Sequence, residues 1–192
     1  MERIRLTDPA DPRFGEAFAL YEISFPVYER RTRAAQAARL SHPEYHFDLL
    51  VEGEQFLGIL LFWEAEGFRY VEHFATCPQL RGQGVGARAL AQLNSEGIPV
   101  VLEIDPPRDG VSIRRQHFYE RCGFFSNPYR HVHPPYRAGC QGHPLVVMTS
   151  PAPASWEEYD RFAAYLGGTV MEDCKIPLTE TEDQYGYPAM AD

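Results

Sequence analysis

The segment Arg81-Gly82-Gln83-Gly84-Val85-Gly86 restricts the possible folds of this chain more than any other. It follows an apolar, aromatic stretch with the character of a β-strand, and residues 85–93 carry apolar side chains at helical spacing. Glycines let the backbone turn tightly and direct successive N–H groups at one point. The start of a helix adds free N–H groups and the positive end of its dipole. The sequence therefore predicts a strand–loop–helix unit that can hold a diphosphate, with Arg81 supplying positive charge.

Two known phosphate-binding motifs can be compared with this loop. A P-loop is excluded because no Lys-Ser/Thr pair follows the glycines. A dinucleotide site remains as an alternative, since residues 84–89 read G-x-G-x-x-A and Asp105 ends the next predicted strand. Glu72 and His73 in the preceding strand argue against it, because a central parallel strand is normally apolar on both faces.

The order of predicted elements favours a mixed α/β fold. Apolar periodicity and Gly/Pro breaks predict strands over 2–6, 45–52, 55–65, 68–77, 99–105 and 145–149, and helices over 14–25, 28–40, 85–96, 112–122 and 156–166. This order predicts a mixed central sheet with antiparallel N-terminal strands and a parallel β-α-β pair, flanked by helices. The Pro/His/Gly-rich residues 127–144 are expected to form a long surface loop.

The chain is expected to form one domain over residues 1–167, followed by a tail. Residues 168–192 contain six acidic residues and one lysine, which favours a loosely ordered segment.

Two motifs, taken together, resemble those of the GNAT superfamily of acetyl-CoA-dependent N-acetyltransferases over about residues 1–150. The triplet Phe74-Ala75-Thr76, Pro78 and the loop Arg81 to Gly86 match the family's strand and its Arg/Gln-x-x-Gly-x-Gly/Ala segment. About thirty residues further on, Phe118-Tyr119-Glu120-Arg121-Cys122-Gly123-Phe124 matches a second family segment at a helix end. Ser112 departs from the pattern, since the family often has Asn there.

The resemblance implies a GNAT fold and acetyl-CoA as cosubstrate. The cosubstrate is expected where two parallel strands, residues 70–77 and 99–105, splay apart. Its pantetheine arm would pair with residues 74–76 as an added strand, and its diphosphate would lie on the loop amides. The expected cofactor-binding residues are Phe74, Ala75, Thr76, Arg81, Gly82, Gln83, Gly84, Val85, Gly86, Ala87 and Ser112.

Amide formation from a thioester requires two proton movements, and the sequence offers candidates for both. Tyr119 is the candidate acid for the leaving thiolate. Glu72 is the leading candidate base, with Glu103 on the neighbouring strand, or a water relay, as the alternative. Strict strand alternation would place Glu72 and Phe74 on one face and His73 on the other.

Four further residues resemble a metal cluster by type but not by spacing. His131, His133, Cys140 and His143 fit no structural zinc signature, so a substrate-side or plain surface role is expected and no metal.

Composition argues against several classes of partner and favours one compartment. The net charge is −9, which argues against general nucleic-acid binding. No apolar run approaches the roughly 20 residues of a membrane helix. The four cysteines are widely spaced, which favours a reduced, cytoplasmic protein.

The resulting hypothesis is an N-acetyltransferase that acetylates a primary amine, favoured to be a small molecule. Direct attack in a ternary complex is expected because no cysteine lies in an obvious nucleophile setting. The alternative is a non-catalytic acyl-CoA sensor of the same fold, and the sequence leaves a homodimer open.

Overall fold

The computed structural model describes residues 1–174 and the backbone of residues 176–177. The strands are β1 (Glu2–Leu6), β2 (Tyr45–Glu52), β3 (Gln55–Ala65), β4 (Phe68–Thr76), β5 (Val100–Ile104), β6 (Phe125–Ser126), β7 (His131–His133), β8 (Arg137–Ala138), β9 (His143–Ser150) and β10 (Ile176–Pro177). The helices are α1 (Phe14–Ser24), α2 (Arg33–Arg39), α3 (Val85–Asn94), α4 (Gly110–Arg121) and α5 (Trp156–Tyr165), with 3-10 turns at Val27–Glu29 and Pro78–Leu80 and a π-helical end at Leu166–Val170.

A single large mixed sheet organises the described residues. Its strand order is β1-β2-β3-β4-β5-β9-β6, and β7 pairs with β9 beside this path. Only β4 and β5 run parallel in this sheet, whereas their outer neighbours β3 and β9 are antiparallel to them. The predicted mixed sheet with one parallel pair is confirmed. A doubly wound dinucleotide-binding sheet does not fit this topology, because that sheet is built mainly from parallel strands.

Each face of the sheet carries its own hydrophobic core. On one face α1, α5 and the π-helical end pack over aromatic residues that include Phe18, Trp63 and Phe162. On the other face α3 packs its apolar side, including Leu90 and Leu93, over the sheet. The predicted amphipathic α3 is confirmed, and its position fixes the glycine loop at the end of β4.

A β-bulge interrupts the alternation of β4. Leu61 pairs with His73 and Phe62 with Val71, so Glu72 is the extra residue. Glu72 and His73 therefore contact groups on the same face, while Phe74 packs on the opposite face with the α3 core. The expectation from strict alternation, with Glu72 and Phe74 together, is wrong because one residue was added to the strand.

The parallel pair opens immediately beyond its start. β4 and β5 pair only over Arg69–Val71 and Val100–Leu102. Residues 72–76 remain paired with β3 on their other edge. The predicted splay between the two strands is confirmed, and it leaves the β5-facing edge of β4 without a strand partner among the described residues.

Residues 127–144 are not a surface loop. β7 pairs in register with β9, and His131, His133 and Arg137 are all buried. The Pro134-Pro135 pair and nearby glycines suggested an exposed loop, but alternate residues of β7 point inward toward Glu103 on β5.

The packed chain extends past the expected domain boundary at residue 167. Val170, Met171 and Cys174 are buried, and Asp173 forms ion pairs with Arg31 and Arg39. Most of the expected tail, residue 175 and residues 178–192, lies outside the described residues. Within the described part, no helix is both long and apolar enough to cross a bilayer.

Candidate active site

A cleft of about 1180 Å³ passes through the opening between β4 and β5. Towards the α3 face it is lined by the glycine loop and by α4. Towards the α1 face it is lined by residues 24–29, by the end of β7 and by the segment that follows it. The cleft thus joins two chemically different halves, which we call the cofactor half and the acceptor half.

The cofactor half is formed largely by backbone. Gly82 and Gly84 have φ values of +79° and +77°, and a Cβ at either would enter open space. Gly84 is the N-cap of α3, so the free N–H groups of the first helical turn face the same region. At Gly86 a Cβ would lie 3.2 Å from the Phe118 ring, so glycine permits α3 and α4 to pack closely. These features fit a diphosphate group on the loop.

Two of the expected cofactor-binding residues are placed differently from the others. Gln83 does not line the cleft, and its Nε2 donates to the carbonyl of Gln79 at 3.1 Å. Ser112 is buried in the capping box of α4, where its N–H and Oγ bond Asp109 at 2.8 and 3.1 Å. The remaining nine line the cleft: Phe74, Ala75, Thr76, Arg81, Gly82, Gly84, Val85, Gly86 and Ala87.

Tyr119 lies on the wall of the cleft near the end of α4. Its ring packs edge-on against Phe118 and Phe124. No hydrogen bond joins its hydroxyl to a described residue, and burial raises its pKa to about 12. A phenol in this state remains protonated at neutral pH and can donate to a group in the cleft.

Glu72 is fully occupied by protein partners. Arg31 and Tyr136 donate to Oε1, and the Trp63 indole donates to Oε2 at 2.8 Å. The side chains of Glu72 and Arg31 are 0% and 1% exposed. Burial opposes ionisation, but the Arg31 guanidinium outweighs it and holds the pKa of Glu72 below its usual range. A carboxylate so stabilised is a weak base, which favours a structural role for Glu72.

Glu103 connects β5 to β7 through a second buried network. The Tyr70 hydroxyl donates to Oε2, and His131 Nε2 bonds Oε1. His133 Nε2 lies 3.8 Å from Oε2, and the His133 ring stacks on Tyr136 with ring centres 5.0 Å apart. Burial opposes ionisation of Glu103, but the two histidines lower its pKa overall. Glu103 is therefore a buried anion that faces two imidazoles.

Glu29 stands at the mouth of the acceptor half. Its carboxylate lies 3.5 Å from His143 Nε2, and its backbone carbonyl accepts from His73 Nε2 at 2.9 Å. Burial and the nearby carboxylate of Asp105 raise the pKa of Glu29 to about 7. Burial lowers the pKa of His73 to about 4, so that imidazole is neutral. Glu29 is therefore a carboxyl group of the acceptor half that can gain or lose a proton near neutral pH.

Sequence reasoning does not single out Glu29 and Arg31 or the inward orientation of His133. The run Tyr28-Glu29-Arg30-Arg31 near the first two helices fits a border of the acceptor pocket and an amphipathic helix surface equally well, and nothing in it marks the buried Arg31. The alternation His131-x-His133 was the available signal for β7. Among the described residues, no group of three or more His, Cys, Asp or Glu side chains is arranged to hold a metal ion.

Comparison with known proteins gives a consistent result. The model of the acetyltransferase (GNAT) domain matches residues 43–125. The Bacillus subtilis protein YjbC, named as an acetyltransferase, is 33% identical over 101 residues, which is 50% of this chain and 50% of that protein. This chain thus spans about half the length of that curated relative.

Solved structures extend the likeness over the fold. A GNAT-family protein from Bacteroides thetaiotaomicron is 28% identical with a TM-score of 0.83, over 89% of this chain and 98% of that one. An aminoglycoside 6′-N-acetyltransferase complexed with coenzyme A shares the fold at 14% identity with a TM-score of 0.54, over 81% of this chain and 99% of that one.

The matched residues 43–125 include the glycine loop at the end of β4, the splayed pair of β4 and β5, and the segment Phe118–Phe124. Residues 43–125 match the GNAT acetyltransferase domain, and over 89% of its length the chain is similar in fold to the GNAT-family protein from Bacteroides thetaiotaomicron.

Proposed function

We propose that the protein transfers the acetyl group of acetyl-CoA to a primary amine of a small molecule, by direct attack within a ternary complex. The observation that carries this proposal is the cleft between β4 and β5, which opens after three paired residues and has a backbone cradle at one end and titratable side chains at the other.

The cofactor half fits a CoA thioester. The open space around Gly82 and Gly84 would accommodate the diphosphate, which the loop amides and Arg81 would hold. The β5-facing edge of residues 74–76 would pair with the amides of the pantetheine arm. The fold neighbour that acetylates aminoglycosides binds coenzyme A, which supports the same ligand class here.

The acceptor half fits an amine. Glu29 supplies a carboxylate at its mouth, while the tyrosine and histidine rings of Tyr28, Tyr136 and His143 supply flat surfaces. Arg115, which lines the cleft and lies close enough to Glu29 to act on its charge, is already paired with Asp105. A positively charged amine with a compact body would therefore meet attraction at the mouth.

The cleft also separates the two proton movements. Tyr119 lies on the α4 wall, where its hydroxyl can donate a proton to the departing thiolate sulfur. The amine nitrogen would approach the acetyl carbon from the acceptor half. Direct attack is supported by the cysteines: Cys77 and Cys174 are buried, and neither Cys122 nor Cys140 lines the cleft.

Steady-state kinetics with a panel of small amines tests this proposal. Acetyl-CoA and each amine are varied together, and the acetylated amine is identified by mass spectrometry. Intersecting double-reciprocal lines and one acetylated amine per CoA released are expected. Parallel lines with an acetylated cysteine would show a covalent route instead. Tight CoA binding without transfer to any amine would favour the acyl-CoA sensor.

A further inference from the structure

We propose that His133 is the proton acceptor for the attacking amine and that Glu103 positions it and stabilises its charged form. This inference rests on the proposed function and adds to it the residue that performs the deprotonation. It is carried by the geometry of a buried imidazole that lines the cleft and has one ring nitrogen without a hydrogen bond.

The hydrogen bonds around His133 fix the position of its proton. Nδ1 lies 2.6 Å from the carbonyl oxygen of Pro134, which can only accept a hydrogen bond. Nδ1 therefore carries the proton of the neutral ring, and Nε2 presents a lone pair. His133 is 4% exposed, and its Nε2 has no hydrogen-bond partner among the described residues. A buried acceptor of this kind is costly unless a ligand donates to it.

A fixed carboxylate lies close to Nε2. Glu103 Oε2 is 3.8 Å away, close enough for an imidazolium to gain Coulomb stabilisation but too far for a hydrogen bond in the neutral state. Tyr70 and His131 hold the Glu103 carboxylate from its two oxygens, so it cannot turn away. The stack on Tyr136 holds the His133 ring itself.

His133 also lies at the correct point along the cleft. Glu103 is the first residue of β5 beyond the pairing with β4, so the Glu103–His133 contact marks the point where the two strands separate. Tyr119 lines the same cleft from α4. An acetyl group placed between the strands would have a proton donor on one side and a proton acceptor on the other.

The proposed acetyl transfer conserves protons and electron pairs. After the ammonium group has released one proton to solvent, the amine lone pair forms the bond from nitrogen to the acetyl carbon. Nε2 of His133 takes the second proton that the nitrogen loses. The bond from carbon to sulfur breaks with its electron pair on sulfur, which takes the Tyr119 hydroxyl proton. His133 then releases its proton to solvent and Tyr119 regains one, so an acetylated amine and free CoA are the only products.

Several titratable groups face His133 and would shape a pH profile. They are Glu103 on β5, His73 on β4, His131 on β7, Tyr136 in the following segment and His143, its register partner on β9.

His117 provides a comparison, because it is an exposed histidine on α4 that does not line the cleft. The rate constant kcat at saturating amine is measured from pH 5.5 to 9.5 for the wild type, His133→Gln and His117→Gln. The CoA affinity of each protein is measured by calorimetry. We expect His133→Gln to lose about 10²-fold in kcat, to keep CoA affinity and to lose the acidic limb of the profile. His117→Gln should keep both the rate and that limb.

The inference is overturned if His133→Gln retains the wild-type rate and profile, or if His117→Gln loses the limb equally. Failure of the proposed function would show differently, as a wild-type protein that does not bind CoA or acetylates no amine. Should either variant not fold, nitrogen-15 NMR of the wild type decides: the Nδ1–H tautomer is expected for the neutral ring, and the Nε2–H tautomer would contradict the proposal.

Discussion

The two halves of the cleft are built by different means. The cofactor half is made by backbone from one continuous stretch of sequence, the end of β4 and the loop before α3. The acceptor half is made by side chains that come from the α1–α2 connection, β4, β5 and β7. A backbone site depends on glycines at fixed positions, whereas a side-chain site depends on buried charges that must be paired. Substitutions in the two halves should therefore have different effects on the protein.

The largest effect is expected from breaking the buried ion pair under the acceptor half. Glu72→Gln would leave the Arg31 guanidinium buried beside a neutral amide, which costs about 3–5 kcal/mol of unfolding free energy. Urea denaturation measures it. The matched control is Glu52→Gln, which breaks the ion pair between Glu52 and Arg88, both about half exposed, and should change stability very little.

If Glu72→Gln instead keeps its stability and loses about 10²-fold in kcat, Glu72 is the base, as the sequence suggested, and the structural role is wrong.

The next effect concerns the cofactor half alone. Gly84→Asp would place a negative side chain in the open space of the loop and raise the dissociation constant for CoA about 10³-fold, or roughly 4 kcal/mol. Gly97→Asp is the control, because its φ of +75° nearly equals the +77° of Gly84 and its Cβ also meets open space, but it does not line the cleft. Calorimetry should show CoA affinity lost only in Gly84→Asp. Equal losses in both variants would point to backbone strain and not to a diphosphate site.

This contrast also explains what the sequence could predict. The glycine loop, the amphipathic α3 and the parallel pair follow from local rules on φ, periodicity and connection, and all are present in the structure. The bulge at Glu72 was not predictable, because one added residue leaves the apolar pattern readable but reverses the face of each following side chain. The burial of Arg31 was not predictable either, since its partners Glu72 and Asp173 lie 41 and 142 residues away. Local patterns identify backbone sites, whereas buried charge networks require the tertiary structure.

A smaller effect is expected from Tyr119, the proposed acid on α4. Tyr119→Phe removes a hydroxyl that makes no hydrogen bond to a described residue, so stability should change little. The rate with acetyl-CoA should fall about 10²-fold, because the thiolate would leave without a proton. A thioester with a more acidic leaving thiol should lose less. An equal loss for both thioesters would mean that the hydroxyl positions the substrate and does not protonate sulfur.

The smallest effect should come from Glu29, the carboxylate at the mouth of the acceptor half. Its pKa is raised from 4.5 to about 7 by burial and by Asp105, so the folded protein binds its proton more tightly than the unfolded chain does. Glu29 therefore contributes stability that is fully present below pH 4.5 and is lost as the pH rises through about 7. Because the side chain is one-third exposed, screening should reduce the loss to about 1 kcal/mol. Glu29→Gln should remove that loss. The unfolding free energy of this variant should therefore fall less than that of the wild type between pH 4.5 and 8. The control Glu54→Gln, at the exposed turn between β2 and β3, should follow the wild type.

A cationic amine in the acceptor half would pair with the ionised carboxylate of Glu29 and offset the loss of stability in the wild type alone. If the amine stabilises Glu29→Gln equally above pH 7, the attraction at the mouth comes from another group, and Glu29 has no part in recognising the acceptor.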